Sequence, residues 1–154
     1  MADKESDPSP QRRCTSAKSC LLAQNDQNWT VLQLPNGLVQ VDLVLTAILL
    51  NLNELDQFTT LLCDAVHAVR DNPNLHGDAA RQSETRSVWY CNVHKFFTIL
   101  FDRAVLRLYP DDFNALTLLV SVGCGELIER QYRQPEAIWP RTNIPPMTNG
   151  FSMN

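Results

Sequence analysis

Two cysteine–histidine pairs are the residues whose types and spacing come nearest to chemistry. Cys63 and His67 stand four apart, a spacing that stacks two side chains on one face of a helix. Cys91 and His94 stand three apart at the start of another stretch that reads as helix. Two thiolates with two imidazoles make up a tetrahedral zinc set. Antiparallel packing of the two segments would bring Cys63, near the end of one, beside Cys91, near the start of the other. Against that, a free cysteine packs well as a small hydrophobe, and the paired knuckle cysteines of zinc fingers are absent. No cofactor is therefore expected, with zinc on Cys63, His67, Cys91 and His94 as the only metal set the sequence offers. A cysteine nucleophile with a histidine base would also need an exposed, activated thiol and an oxyanion hole. No surrounding motif supplies them, and no phosphate-binding loop or nucleophile elbow occurs. The expectation is a protein that is not an enzyme.

The elements that would position these residues read mostly as helices. Residues 84–109 form one long stretch whose middle, Phe96-Phe97-Thr98-Ile99-Leu100-Phe101, is apolar nearly all round and so predicts a central core helix. Leu43 to Leu50 lacks a polar face as well and predicts a buried helical segment capped by Asp42. Asn51 with Glu54 has capping-box spacing and predicts a break, after which Leu55, Phe58, Leu62, Val66 and Val69 follow a helical stripe. Asn72-Pro73 ends that helix. Residues 72–83 read as a polar loop. Pro110 stops the central helix, and Asp111 or Asp112 caps a last one through residue 133. Gly123 and Gly125 in it suggest close approach of another backbone. Before all of these, WTVLQL-PNG-LVQVDL predicts a short hairpin about Pro35-Asn36-Gly37.

The expected architecture is mainly α: a small helical bundle of about four helical segments with a short N-terminal β-hairpin and extended arms at both ends. Residues 1–27 read as a disordered arm, 28–134 as the hairpin plus helical domain, and 135–154 as a proline-punctuated extended tail carrying Ile138, Trp139 and Phe151. No internal repeat is apparent.

Formal net charge is -4. A nucleic-acid-binding domain usually shows a basic excess, so nucleic acid is not expected as the main ligand. No apolar run approaches the ~20 residues of a membrane span. The N-terminal residues lack an apolar signal-like run, which points to the cytoplasm or nucleus with reduced thiols. The functional expectation is a self-associating helical protein–protein interaction module, whose partner is itself or another protein. Alternatives are a coat- or nucleoprotein-like assembly subunit, an accessory or regulatory protein that binds through its tail, and a zinc-supported scaffold. The residues expected to meet a partner are Val88, Ile99 and Leu106, taken as a second strip on the central helix, with Ile138, Trp139 and Phe151 in the tail.

Overall fold

The computed structural model describes residues 18–133, so most of both expected arms lies outside the described residues. The element order is β1 (Cys20–Gln24), β2 (Thr30–Gln33), β3 (Val39–Asp42), β4 (Ala47–Leu50), α1 (Leu52–Asp71), β5 (Gly77–Ser83), β6 (Arg86–Cys91), β7 (Phe96–Phe101), β8 (Ala104–Leu108) and α2 (Pro110–Arg133). Strands β1–β4 form one antiparallel four-stranded sheet in sequence order, and β5–β8 form a second. The fold is α+β with two helices among the described residues, which corrects the mainly-α helical bundle expected from the sequence.

The stretch 84–109 is the largest reversal: it is three strands, not a helix. In β7, Phe97, Ile99 and Phe101 are buried while Phe96, Thr98 and Leu100 are half-buried. That alternation is the signature of a strand with one face on the core. A run apolar at nearly every position satisfies a 3.6 period and a 2.0 period alike. Aromatic and β-branched content favours the strand, and the punctuation completes it. Lys95 and Asp102 take φ of 60° and 57° at the two turns, a conformation that ends a right-handed helix.

Residues 43–50 likewise form a turn and then β4. Asp42 Oδ1 accepts from the Val44 backbone N–H at 2.9 Å, so it shapes a turn and caps no helix. The segment is not uniformly buried either, since Leu45 is 95% exposed. Strand β5 occupies most of the stretch read as a polar loop, and β1 lies within the N-terminal stretch read as disordered. Pro110 opens α2 as its first residue, a favoured place for proline, with Asp111 and Asp112 in the first turn. The hairpin about Pro35-Asn36-Gly37 is present, with Gly37 at φ 91°. So is the capping box, both of its hydrogen bonds at 2.8 Å, although it starts α1 rather than breaking a longer helix.

The two halves are structural repeats of a ββββα unit, which the sequence did not disclose. Both first hairpins carry a bulge at the same place, between Leu21 and Ala23 and between Asp78 and Ala80. From the β2–β3 turn to the end of α1, the chain matches its second half residue for residue. Val39, Val41, Ile48 and Leu50 correspond in the ladders to Phe97, Ile99, Leu106 and Leu108. The buried positions of α1, namely Leu55, Phe58, Leu61, Leu62 and Ala65, correspond to Phe113, Leu116, Leu119, Val120 and Gly123 of α2. Thr59 and Thr117 are equivalent, and each donates its hydroxyl to the carbonyl four residues back, at 2.7 and 2.8 Å. Cys63 and Ser121 are equivalent too, and they touch each other, Sγ to Oγ 3.8 Å. Contact between equivalent residues places a local two-fold axis there.

The helices cross over. α1 packs mainly on β5 and β6 of the second half, and α2 on β1 and β2 of the first. Gly123 marks a close approach of α2 to β2, since a Cβ there would lie 3.0 Å from Val31 Cγ1. One hydrophobic core results, shared by both sheets and both helices.

Polar contacts fasten the crossing at the start of α1. Arg86 pairs with Asp102 at 2.9 Å and with Glu54 at 3.8 Å, donates to Gln57 Oε1, and lies 4.3 Å from the centre of the Phe101 ring. Hydrogen bonding from the Arg86 guanidinium, opposed by partial burial and aided by Thr85, holds the Asp102 carboxyl below its usual range. A lowered folded-state pKa gives stability that is present above the unfolded value, about 3.9, and lost as pH falls through the folded value. Asp102 is partly exposed, so the contribution is at most about 1 kcal/mol. Asp102→Asn should therefore lower the urea midpoint slightly at pH 7 and leave it unchanged near pH 2. Equal losses at both pH values would show that the ion pair is not the cause.

Candidate functional site

The four residues of the expected zinc set are distributed as two separate pairs. Cys63 and His67 lie on α1, with Cys63 at the local axis against Ser121. Cys91 ends β6, and its Sγ is 3.7 Å from His94 Nδ1 in the turn that follows. Among the described residues, no group of three or more His, Cys, Asp or Glu side chains is placed to hold a metal ion. The Cys91–His94 contact is the nearest approach to a thiol–imidazole pair, but the Cys91 side chain is buried and the His94 backbone N–H also points at its sulfur, at 3.4 Å. A buried sulfur held in a turn offers no access to a substrate. At Cys124, burial, with smaller contributions from Asp56 and Cys63, pushes the thiol up and away from reactivity.

The expected partner-facing strip does not exist as a surface. Val88 and Ile99 point into the core at 0% and 1% exposure, and Leu106 packs against it. A one-residue change of period moves a side chain to the opposite face, which is why the helical reading put them outside. Ile138, Trp139 and Phe151 lie outside the described residues.

What strand alternation does place outside is a chemically distinct face on the second sheet. The register sets Asp78, Trp89, Thr98 and Arg107 in one cross-strand row and Cys91 beside Phe96 in the next. Trp89 is 37% exposed, and Tyr109, the residue after β8, is 66% exposed. Imidazoles flank the aromatic rings. His76 meets Trp89 edge-on at 4.7 Å between ring centres, and its Nδ1 accepts from the Asn92 backbone N–H at 3.0 Å. His94 lies nearly parallel to Phe96 at 6.3 Å. The Arg107 guanidinium is 5.8 Å from the centre of the Phe96 ring, within cation–π range. Lys95 sits at the adjacent turn, bonded to Asn92 at 2.7 Å. The carboxylate in the row, Asp78, is paired with Arg81 at 2.9 Å.

The repeat supplies an internal comparison for this face. At the equivalent outward positions the first sheet carries Leu32 for Trp89, Leu38 for Phe96, Gln40 for Thr98, Leu49 for Arg107 and Asn51 for Tyr109. Residues 20–50 contain no lysine or arginine, whereas residues 76–108 contain Arg81, Arg86, Lys95, Arg103 and Arg107 against Asp78, Glu84 and Asp102. The same backbone therefore presents leucines with Gln40, Asp42 and Asn51 on one sheet and aromatic rings with Arg107 on the other. Nothing in the architecture demands the second set. Comparison with protein-family models, with curated proteins and with solved structures found no match to this chain.

Proposed function

We propose that the protein is a non-enzymatic binding module whose ligand face is the outer surface of β6–β8, and that the ligand is single-stranded nucleic acid. The observation that carries this reading is the outward group of exposed Trp89 and Tyr109 and half-buried Phe96, with Arg107 and Lys95 among them. Unpaired bases offer flat π-surfaces that stack on aromatic rings and on guanidinium planes, while lysine and arginine meet the phosphates. A duplex hides its base faces and has less to gain from such a surface. Net charge argued against nucleic acid, but it averages over a molecule whose acidic residues lie largely on the first half and the helices. A second reading, a protein–protein module, is favoured by a different surface, where Leu118 and Val122 of α2 are 66% and 51% exposed.

Fluorescence anisotropy of a labelled 20-nucleotide oligothymidylate at 50 mM salt tests the proposal. Binding should appear at micromolar protein, with the matching duplex weaker by at least tenfold. Stacking is worth about 1–3 kcal/mol per base, so Trp89→Ala should weaken binding by about 5- to 150-fold. Few cations line the face, so the logarithmic salt slope should be shallow, near -2 for about three phosphates. No binding at 50 µM protein, or equal binding of duplex, would remove the reading.

A further inference from the structure

His76 stands beside the ligand face, in the loop between α1 and β5, and holds to Trp89 and to the turn that follows β6. Its Nδ1 accepts the Asn92 backbone N–H at 3.0 Å. Its ring meets the Trp89 indole edge-on, 4.7 Å between ring centres and 73° between planes. A ring nitrogen that accepts carries no hydrogen, so this bond selects the neutral imidazole with its hydrogen on Nε2 and fixes how the ring sits. Gly77 adds to the arrangement. It takes a φ of 140°, which residues with a side chain rarely adopt, and a Cβ on it would lie 3.9 Å from Trp89 Nε1. The indole is thus met by the imidazole and, at its nitrogen, by Gly77.

The first repeat has none of this. Counting from the paired strands, Ser19 stands for His76, Cys20 for Gly77, Leu32 for Trp89 and Pro35 for Asn92. Proline has no N–H to donate, so the hydrogen bond has no counterpart there. The first sheet forms without the imidazole, and the contact exists only in the half that carries the aromatic face. Trp89 is 37% exposed. A ring free to change rotamer loses that freedom when a base stacks on it, and a ring held beforehand does not. We propose that His76 is a positioning residue of the ligand face, which holds the Trp89 indole in the orientation that an unpaired base stacks on. The inference rests on the single-stranded nucleic-acid reading given above. His76 acts through Trp89 and does not itself meet the ligand.

The contact has a plainer use, tying the α1–β5 loop to the β6–β7 turn, and one substitution separates the two. In His76→Asn the amide oxygen takes the place of Nδ1 as acceptor for the Asn92 N–H, so the tie is kept and the ring is lost. The full chain carrying it should keep the wild-type melting temperature. It should bind the labelled 20-nucleotide oligothymidylate about three- to tenfold more weakly, the usual worth of an aromatic contact. In a Trp89→Ala background the same substitution should change affinity by no more than about twofold, because residues that act through one another do not add. A wild type that binds no oligothymidylate removes the ligand reading itself. With wild-type binding present, equal affinity of His76→Asn overturns the positioning role alone. A further loss of threefold or more (about what the wild-type background shows) in Trp89→Ala overturns it too, since His76 would then meet the ligand directly.

Discussion

A fragment comprising residues 18–74 should not fold as a monomer, although it contains a complete ββββα unit. In the whole chain α1 buries Leu55, Phe58, Leu61, Leu62 and Ala65 almost completely, mainly against β5 and β6. Phe58 meets Phe101 of the other repeat edge-on at 5.1 Å between ring centres. Burying each large apolar side chain contributes about 1.5–3 kcal/mol, so losing the second sheet removes an amount comparable with the roughly 5–15 kcal/mol that holds a domain together. Meanwhile β1 and β2 lose α2. The isolated fragment should give no cooperative thermal transition as a monomer. Any folding should be concentration-dependent, with a second fragment supplying the missing sheet. A monomeric fragment with a cooperative melt would show that the crossing of the helices is not what holds the fold together.

The second large effect is expected at Gly123. Its backbone lies so close to β2 that a Cβ would sit 3.0 Å from Val31 Cγ1 and 3.2 Å from Val31 Cβ. Val31 is fully buried and cannot swing aside. Gly123→Leu must therefore push α2 off the first sheet. Overpacking costs about 1–3 kcal/mol even where only side chains adjust, and a displaced helix raises the loss to about 3 kcal/mol or more, read as a lower urea midpoint. Gly123→Ala separates the effects, since the gain in helix propensity of about 1 kcal/mol offsets a clash of a few tenths of an ångström. The equivalent residue in α1, Ala65, is already an alanine in a buried position. A Gly123→Leu variant as stable as wild type would mean that α2 does not approach β2 so closely.

How much of this fold was legible in the sequence depended on how many periods a segment could satisfy. Around α1 the signals agree: Asn51 and Glu54 form a capping box, Leu55 to Val69 keep one stripe, and Pro73 follows the end. The Pro35-Asn36-Gly37 turn was equally plain, because few conformations suit that triplet. Residues 43–50 and 96–101 are apolar at almost every position, so alternation and helical spacing fit equally well, and only the turn residues between them carried the distinction. Reading Asp102-Arg103 as a turn would have broken the supposed helix. The repeat stayed hidden because equivalent core positions keep their apolar character and change their identity, as Leu55 to Phe113, Val39 to Phe97 and Ala65 to Gly123 show.

The candidate face was missed for a related reason. Trp89, Phe96 and Arg107 come from three strands and share a surface only through the β6–β7 and β7–β8 registers. With residues 84–109 taken as one helix, the buried Val88 and Ile99 were set on a partner-facing strip, and Trp89 and Thr98, which the strands turn outward, drew no notice. Net charge concealed the local basic excess for the same reason that any sum conceals segregation.

If the second sheet, and not its equivalent in the first repeat, carries the ligand face, a bound strand must perturb one sheet and spare the other. Amide chemical-shift mapping of the full chain with unlabelled oligothymidylate tests this most directly. The predicted result is that shifts concentrate at residues 89, 96, 98 and 107, with the Trp89 indole signal among the largest, while residues 32, 40 and 49 stay in place. Shifts on the first sheet, or none at a saturating concentration of the strand, would contradict it.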